Sequence, residues 1–231
     1  MGKIRVWFDK KMGGEGLFFK FAEEAVFFFF KINNINRFLL RKRINEYFNK
    51  NELIKIQFGS GKKELEGFLN TDILGKIPIN ITKKLPFKEN SVDVMYSNHV
   101  IEHIYYKQFK RFLKDSFRCL KEGGIHMIST PSIPKLIKSI YENEKTKKKL
   151  IELYGGGKAY DSARVINNIM HMSFMHKFIY DFESIQFLGK EAGFSKIFSV
   201  DNYEIPDETI KRSLKKDEPW DAITETFVLV K

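Results

Sequence analysis

The side chains best suited to chemistry in this chain are one carboxylate, Asp72, and four imidazoles, His99, His103, His171 and His176. Asp72 closes Gly67-Phe68-Leu69-Asn70-Thr71-Asp72-Ile73, which reads as a short strand ending in an acid. Just upstream, Leu53-Ile54-Lys55-Ile56-Gln57-Phe58 reads as a buried strand running into the tight turn Gly59-Ser60-Gly61. Glycines let a backbone approach a ligand closely, and an acid at the end of the next strand can accept from both hydroxyls of a ribose. That pairing is half of a nucleoside site. The imidazoles are the groups that can take a proton near pH 7. His171 and His176 stand five apart, off the i, i+4 spacing by which two histidines share a helix face for a metal. With no carboxylate pattern beside them, no metal centre is expected.

The spacing around the glycines also excludes readings. A dinucleotide fingerprint places a third glycine where this chain has Glu64, and its acid stands about 20 residues on. Asp72 follows Gly61 sooner than that. No G-x-x-x-x-G-K-[ST] loop is present, which argues against nucleoside triphosphate cleavage. A ligand with a ribose and no phosphates fits better.

These residues need a scaffold that brings strand ends together, and the chain alternates accordingly. Strands are expected at 53–58, 67–73, 92–97, 125–129, 195–200 and 224–230, with a short one at 77–80. Between them, Lys107 to Leu120 is amphipathic, with Phe109, Phe112, Leu113, Phe117 and Leu120 on one face and a stop at Lys121-Glu122-Gly123-Gly124. The pattern predicts an α/β fold, Rossmann-like and doubly wound, with helices on both faces of a mostly parallel seven-stranded sheet. Residues 133–182 interrupt the alternation with a helix from Lys135 to Tyr154, three glycines and the segment holding His171 and His176. An insertion after a late strand lies over the strands' carboxyl ends, so it reads as a helical cap.

Residues 1–50 read as an N-terminal helical extension, and 51–231 as the main domain. Phe18, Phe19, Phe21 and Phe27 to Phe30 alternate with lysines and arginines in the extension. Two readings stay open there besides a dimer contact. One is a helix pair packed on the domain with a solvated basic face. The other is peripheral contact of residues 16–43 with an anionic membrane surface. No apolar run reaches the roughly 18 residues of a membrane span, and no signal-peptide order is seen, so a cytoplasmic location is expected. The net charge of +11, from 40 basic and 29 acidic side chains, favours acidic partners. The lone Cys119 cannot form an internal disulfide and reads as a small core residue.

Five motifs in register carry a family likeness. They are Gly59-Ser60-Gly61, Gly67 to Ile73, Leu85-Pro86-Phe87, Ser91 through His103, and Leu120 to Gly124 with Ile128-Ser129-Thr130-Pro131. Their order resembles the class I S-adenosylmethionine-dependent methyltransferases, and within them a bacterial subset associated with surface polysaccharides. Val165-Ile166-Asn167-Asn168, His176, Tyr180-Asp181 and Glu191-Ala192-Gly193-Phe194 extend the likeness, which covers roughly residues 53–231. The resemblance implies S-adenosylmethionine as cofactor. It implies a site built from Phe58, Gly59, Ser60, Gly61, Asp72, Ile73, Asn80, Ile81, Ser97 and Asn98. Gly59 and Gly61 would pass under the methionine portion, Asp72 would bind ribose, and Asn80-Ile81-Thr82 would line the adenine. The family commonly has aspartate where this chain has Asn80.

Methyl transfer is an in-line displacement at a sulfonium, so the protein positions the acceptor and, for a hydroxyl, removes a proton. His99, just beyond the strand ending at Ser97, is the first candidate for that base, and His176 in the cap the second. Ser97-Asn98-His99-Val100 lacks the Asn-Pro-Pro-aromatic pattern of amino-nucleobase methylators. The basic runs lack an interleaved aromatic platform, so nucleic acid is not the expected partner. The reading is O-methylation of a sugar or glycan precursor, acidic in character. The alternatives are methylation of another small acceptor or of RNA, a catalytically silent cofactor-binding module, and a nicotinamide-dependent sugar oxidoreductase.

Overall fold

The computed structural model describes residues 34–154, 161–172, 176–200, 205–213 and 221–231. Six strands form one sheet: β1 (Lys55–Phe58), β2 (Leu69–Thr71), β3 (Val92–Asn98), β4 (Leu120–Pro131), β5 (Lys196–Val200) and β6 (Thr224–Val230). Their order is β2-β1-β3-β4-β6-β5. The first four run parallel, and β6 is antiparallel to both β4 and β5. All six expected strands of ordinary length are present.

The expected short strand at 77–80 is reduced to a single bridge between Asp72 and Pro78, which corrects the seven-strand count. Pro78 has no N–H to donate, so a ladder cannot propagate through it. The expected glycine stop after the amphipathic helix is also corrected. That helix, Tyr106–Cys119, passes directly into β4 at Leu120. Gly123, at φ +73°, lies inside the strand, where the β3–β4 register shifts between Val92 and Val94. The glycines make a bulge there.

Seven helices are described, lettered here in chain order: α1 (Asn34–Lys50), α2 (Tyr106–Cys119), α3 (Ile133–Tyr141), α4 (Glu144–Tyr154), α5 (Ser162–Asn167), α6 (Phe182–Ala192) and α7 (Glu208–Ser213). The single helix expected from Lys135 to Tyr154 is two, α3 and α4. Asn143 Oδ1 accepts the Thr146 N–H at 3.0 Å and caps the second helix, so the chain restarts there.

Both faces of the sheet are covered because its central strands alternate between two apolar clusters. Ile56, Phe58, Met95, Ile128, Phe227 and Leu229 pack with α1, α2 and α6 through Ile44, Phe109, Phe112, Leu113, Ile185 and Leu188. Val94, Tyr96, Met127 and Val228 point the other way, against Leu65, Phe68, Ile205 and Ile210. Cys119 is buried in the first cluster, and burial pushes its thiol up to about 12. Asp93 has a structural part: it accepts the Ile54 N–H at 2.8 Å and pairs with Lys121 Nζ at 2.7 Å.

Helix α1 is tied to this body by Ile44 in the core, by Tyr47, whose hydroxyl donates to Lys55 O at 2.9 Å, and by Phe48 stacked on Phe87. The phenylalanines from Phe18 to Phe30 lie outside the described residues. No described helix is long and apolar enough to cross a membrane.

The insertion leaves and returns at one point. Ser132, directly after β4, bridges to Tyr180, and the Ile133 N–H donates to Tyr180 O at 3.2 Å. Between those ends, Leu136, Ile140, Leu150, Val165 and Ile169 form a small core of their own that takes in Ile223, next to β6. The two ends of the insertion therefore meet at the carboxyl end of β4.

Candidate active site

Three strand ends supply the site. Beyond β1, Gly59 turns at φ +64°, and a Cβ there would lie 2.3 Å from Val100 Cγ2. Glycine is required both by conformation and by the residue after His99 packing over it. Gly61, at φ +52°, has open space where a Cβ would be. Its N–H donates to Asp72 Oδ2 at 3.1 Å, while the Leu74 N–H donates to Oδ1 at 2.9 Å. Ser60 N–H donates to Thr71 O at 3.0 Å. Each Asp72 oxygen thus holds one backbone N–H and keeps acceptor capacity for more. A glycine turn fixed to a half-buried carboxylate is what a ribose-bearing ligand requires, so the residues present fit S-adenosylmethionine.

The other residues expected to hold the cofactor differ in exposure. Phe58 is buried in the core, with its ring edge-on to Phe112, so only its backbone can serve a ligand. Ser60, Ile81 and Ser97 are buried, while Ile73, Asn80 and Asn98 are half-buried. Asn80 Oδ1 accepts from both the backbone N–H and the hydroxyl of Thr82, at 2.9 and 2.8 Å. Its carbonyl oxygen is therefore already committed to a turn.

Beyond β3, His99 adopts φ +53°, rare for a residue with a side chain. Its backbone N–H donates to Ser129 O at 2.9 Å, which keeps the β3–β4 ladder in step while the chain turns. The ring is held at both nitrogens. Nδ1 lies 3.2 Å from Glu102 Oε1 and Nε2 lies 2.9 Å from the Thr224 hydroxyl. Glu102 is fully buried, whereas His99 is 27% exposed. Burial by itself would raise the Glu102 carboxyl. The hydrogen bond and charge of His99, with the charge of His103, outweigh it and hold the group below the usual range. An ionised Glu102 can only accept, which places the His99 proton on Nδ1 and leaves the Nε2 lone pair facing a hydroxyl.

Glu102 and His103 sit in a single 3₁₀ turn, Ile101–His103. Glu102 Oε2 accepts from Thr130 Oγ1 at 3.0 Å, and its backbone carbonyl accepts the Lys177 N–H at 2.7 Å. That last bond brings His176 in from the cap. The His103 and His176 rings meet edge to face, centroids 4.9 Å apart. Burial lowers His176 to about 4, keeping it neutral near pH 7.

Both histidines put forward as bases therefore converge on Glu102, a residue the sequence reading did not place in the site. Its i, i+3 spacing from His99 is the one local signal that could have pointed to it. His171 is exposed on the turn Asn168–Met172 and joins none of this. The fifth histidine, His126, is fully buried on β4 against Phe58 and Phe112, and neither ring nitrogen has a hydrogen-bond partner among the described residues.

Comparison with known proteins finds one matching family model and several similar solved structures. The family described as "Methyltransferase domain" matches residues 68–128, which run from the start of β2 through most of β4. Among solved structures, the chain is similar to a SAM-dependent methyltransferase of Archaeoglobus fulgidus, at 15% identity and TM-score 0.47, over 98% of this chain and 99% of that one. It is similar to a Thermotoga maritima SAM-dependent methyltransferase described as a possible histamine N-methyltransferase, at 15% identity and TM-score 0.46, over 78% and 83%. A third is phosphoethanolamine N-methyltransferase 2 of Haemonchus contortus, at 14% identity and TM-score 0.45, where 78% of this chain covers 49% of that one. This chain spans about half the length of that enzyme. No curated protein matches the sequence. Residues 68–128 thus match a methyltransferase domain, and they lie in an α/β fold whose six-stranded sheet is covered on both faces.

Proposed function

We propose that this methyltransferase methylates a hydroxyl oxygen of a sugar or glycan precursor, with His99 as the general base. The observation that carries the reading is the line of contacts Glu102–His99–Thr224 at the end of β3, 3.2 and 2.9 Å apart, one residue before the Val100 that packs on the glycine turn. An imidazole beside a buried carboxylate, with its other nitrogen already facing a hydroxyl, is arranged for deprotonating an alcohol. An acceptor hydroxyl would replace the Thr224 hydroxyl at Nε2. The net charge of +11 supports an acidic acceptor, such as a nucleotide-linked sugar.

In this reading Gly59, Ser60 and Gly61 bring backbone close to the cofactor, Asp72 accepts from its ribose hydroxyls, and Asn80 and Ile81 flank the adenine. Phe58, Ile73, Ser97 and Asn98 complete the walls. S-adenosylmethionine supplies a methyl group on a positively charged sulfur, which needs no further activation. His99 Nε2 would take the proton of the acceptor hydroxyl and Glu102 would stabilise the resulting imidazolium, while the bound cofactor would supply the methyl group to the acceptor oxygen. The cap at 133–182, which brings His176, covers this end of the sheet and selects the acceptor, with His176 the second candidate for the base.

The test is transfer of labelled methyl from S-adenosylmethionine to a pool of nucleotide sugars. A base-stable O-methyl ether, lost in His99→Asn while calorimetric binding of the cofactor persists, is the expected result. Label on nitrogen or on RNA overturns the acceptor assignment. Loss of cofactor binding in Asp72→Ala checks the ribose site separately.

A further inference from the structure

Glu102, His103 and His176 each offer one ligand atom, and all of these atoms lie within 4.8 Å of one another. We propose that these three side chains form a binding site for a divalent first-row transition ion, one carboxylate and two imidazoles at the carboxyl end of the sheet. The inference stands on this cluster and does not depend on the identity of the methyl acceptor.

The backbone holds the three ligands in place. His103 directly follows Glu102 within a 3₁₀ turn, and its N–H donates to Val100 O at 3.1 Å. The strand-like contact of Lys177 N–H and Phe178 N–H with Glu102 O, at 2.7 and 3.3 Å, fixes the cap segment that starts at His176. Bonds of about 2.1 Å to an ion put donor atoms about 3.0–3.5 Å apart. Side-chain rotations of about an ångström would close the cluster from its present spread, with no backbone movement.

Charge argues the same way. Glu102 has no exposed surface, and among the described residues its ion-pair partner is His99. A buried carboxylate is stable only with compensating positive charge or a full set of donors. A dication supplies that charge beside the carboxylate, and imidazole nitrogens favour zinc, copper, iron or nickel over magnesium, calcium or manganese. Thr130, donating to Glu102 Oε2 at 3.0 Å, is placed to orient the carboxylate from behind, as the outer partners of metal ligands do.

Cobalt(II) is the probe. The full chain, dialysed against chelator and shown folded by circular dichroism, is titrated with Co²⁺ while visible absorption and thermal unfolding are followed. One equivalent is expected to give a ligand-field band and a raised melting temperature, with Zn²⁺ displacing it. Glu102→Gln and His176→Gln are each expected to weaken binding by at least about 100-fold. His103→Gln, at a half-buried position, gives the same loss without threatening the fold. His171→Gln, on the surface, leaves binding unchanged. No absorption band from the folded protein at millimolar Co²⁺ overturns the site. Binding that survives the His103 and Glu102 variants, or that disappears with His171, overturns it as well.

Discussion

His126 and His176 are both buried histidines, and their surroundings make them opposites. His126 lies in the middle of β4 with Phe58 and Phe112 against its ring and no hydrogen-bond partner at either nitrogen among the described residues. His176 arrives at the end of the sheet on a backbone pairing with Glu102 and faces His103 edge to face. Burial drives both toward the neutral form, to about 3 and about 4. Desolvation is thus common to both and decides nothing about function. What separates them is convergence: one imidazole has only apolar neighbours, the other shares a carboxylate with two more imidazoles.

The largest effect should come from cutting into that convergent region. His99→Asn removes the base but keeps a side chain that can donate to Glu102. Turnover is expected to fall about 100- to 1,000-fold, with cofactor affinity within about two-fold, because general-base catalysis contributes on that scale. His126→Asn should leave cofactor affinity similarly intact. If it cost turnover as much as His99→Asn in a protein shown to be folded, the division between chemical and structural histidines would fail.

Gly59→Ala probes how the same region is held. The substitution places a Cβ at 2.3 Å from Val100 Cγ2 and forces φ +64° on a residue with a side chain. A loss of about 2–3 kcal/mol in urea unfolding is expected, combining backbone strain and overpacking. Adding Val100→Ala should return the packing part and leave the conformational part. A double variant no more stable than the single one would show that Val100 is not what demands the glycine.

How much of this was legible in the sequence follows from which interactions are local. Strands β3 and β6 stand out because both faces of each are buried and their middles run apolar, through Val94-Met95-Tyr96 and Phe227-Val228-Leu229. The glycine turn and Asp72 were legible because a tight turn needs glycine at particular positions. The break between α3 and α4 was not, since the run from Lys135 to Tyr154 has no proline or glycine and only the Asn143 cap marks it. The loss of the strand at 77–80 was legible in hindsight from Pro78. Glu102 was the harder case. Its partners His99 and His103 are neighbours in sequence, but Thr130 and the His176 segment come from elsewhere, and only the closing of the cap at Ser132 and Tyr180 brings that segment in. His126 was invisible for a different reason: a polar residue in an apolar strand pattern reads as an exposed position, and here both faces are covered.

The structural side of the comparison has its own signature in His126→Leu. An imidazole buried without partners carries a desolvation cost of about 1–3 kcal/mol, so the variant should be more stable by up to that amount at pH 7, less any loss from imperfect packing. The pH dependence is sharper. His126 has a folded value of about 3 against 6.5 when free. Between those values the unfolded chain takes up a proton that the folded chain refuses. Stability therefore falls as pH drops below about 6.5, by about 1.4 kcal/mol per pH unit from this group, until about pH 3. Above 6.5 its contribution to the slope vanishes. The difference between parent and variant isolates it, because His176 titrates in both. A parent and variant with parallel stability curves from pH 7 to pH 5 would mean that His126 has found a proton-stabilising partner.

His171→Gln sets the scale for both regions and should have the smallest effect. This histidine is exposed, stands five residues before His176 in the sequence, and shares neither the carboxylate nor the aromatic packing. Surface substitutions away from caps and networks stay within about 0.5 kcal/mol, and the stability of this variant should track the parent's across the pH range in which His126→Leu and the parent diverge. Turnover should match the parent's as well. The same side chain in one protein then spans no effect, a destabilising effect and a catalytic one, and the contacts of each ring decide which. A loss of turnover in His171→Gln larger than about two-fold would extend the chemical region onto the outer face of the cap and move the boundary drawn here at His176.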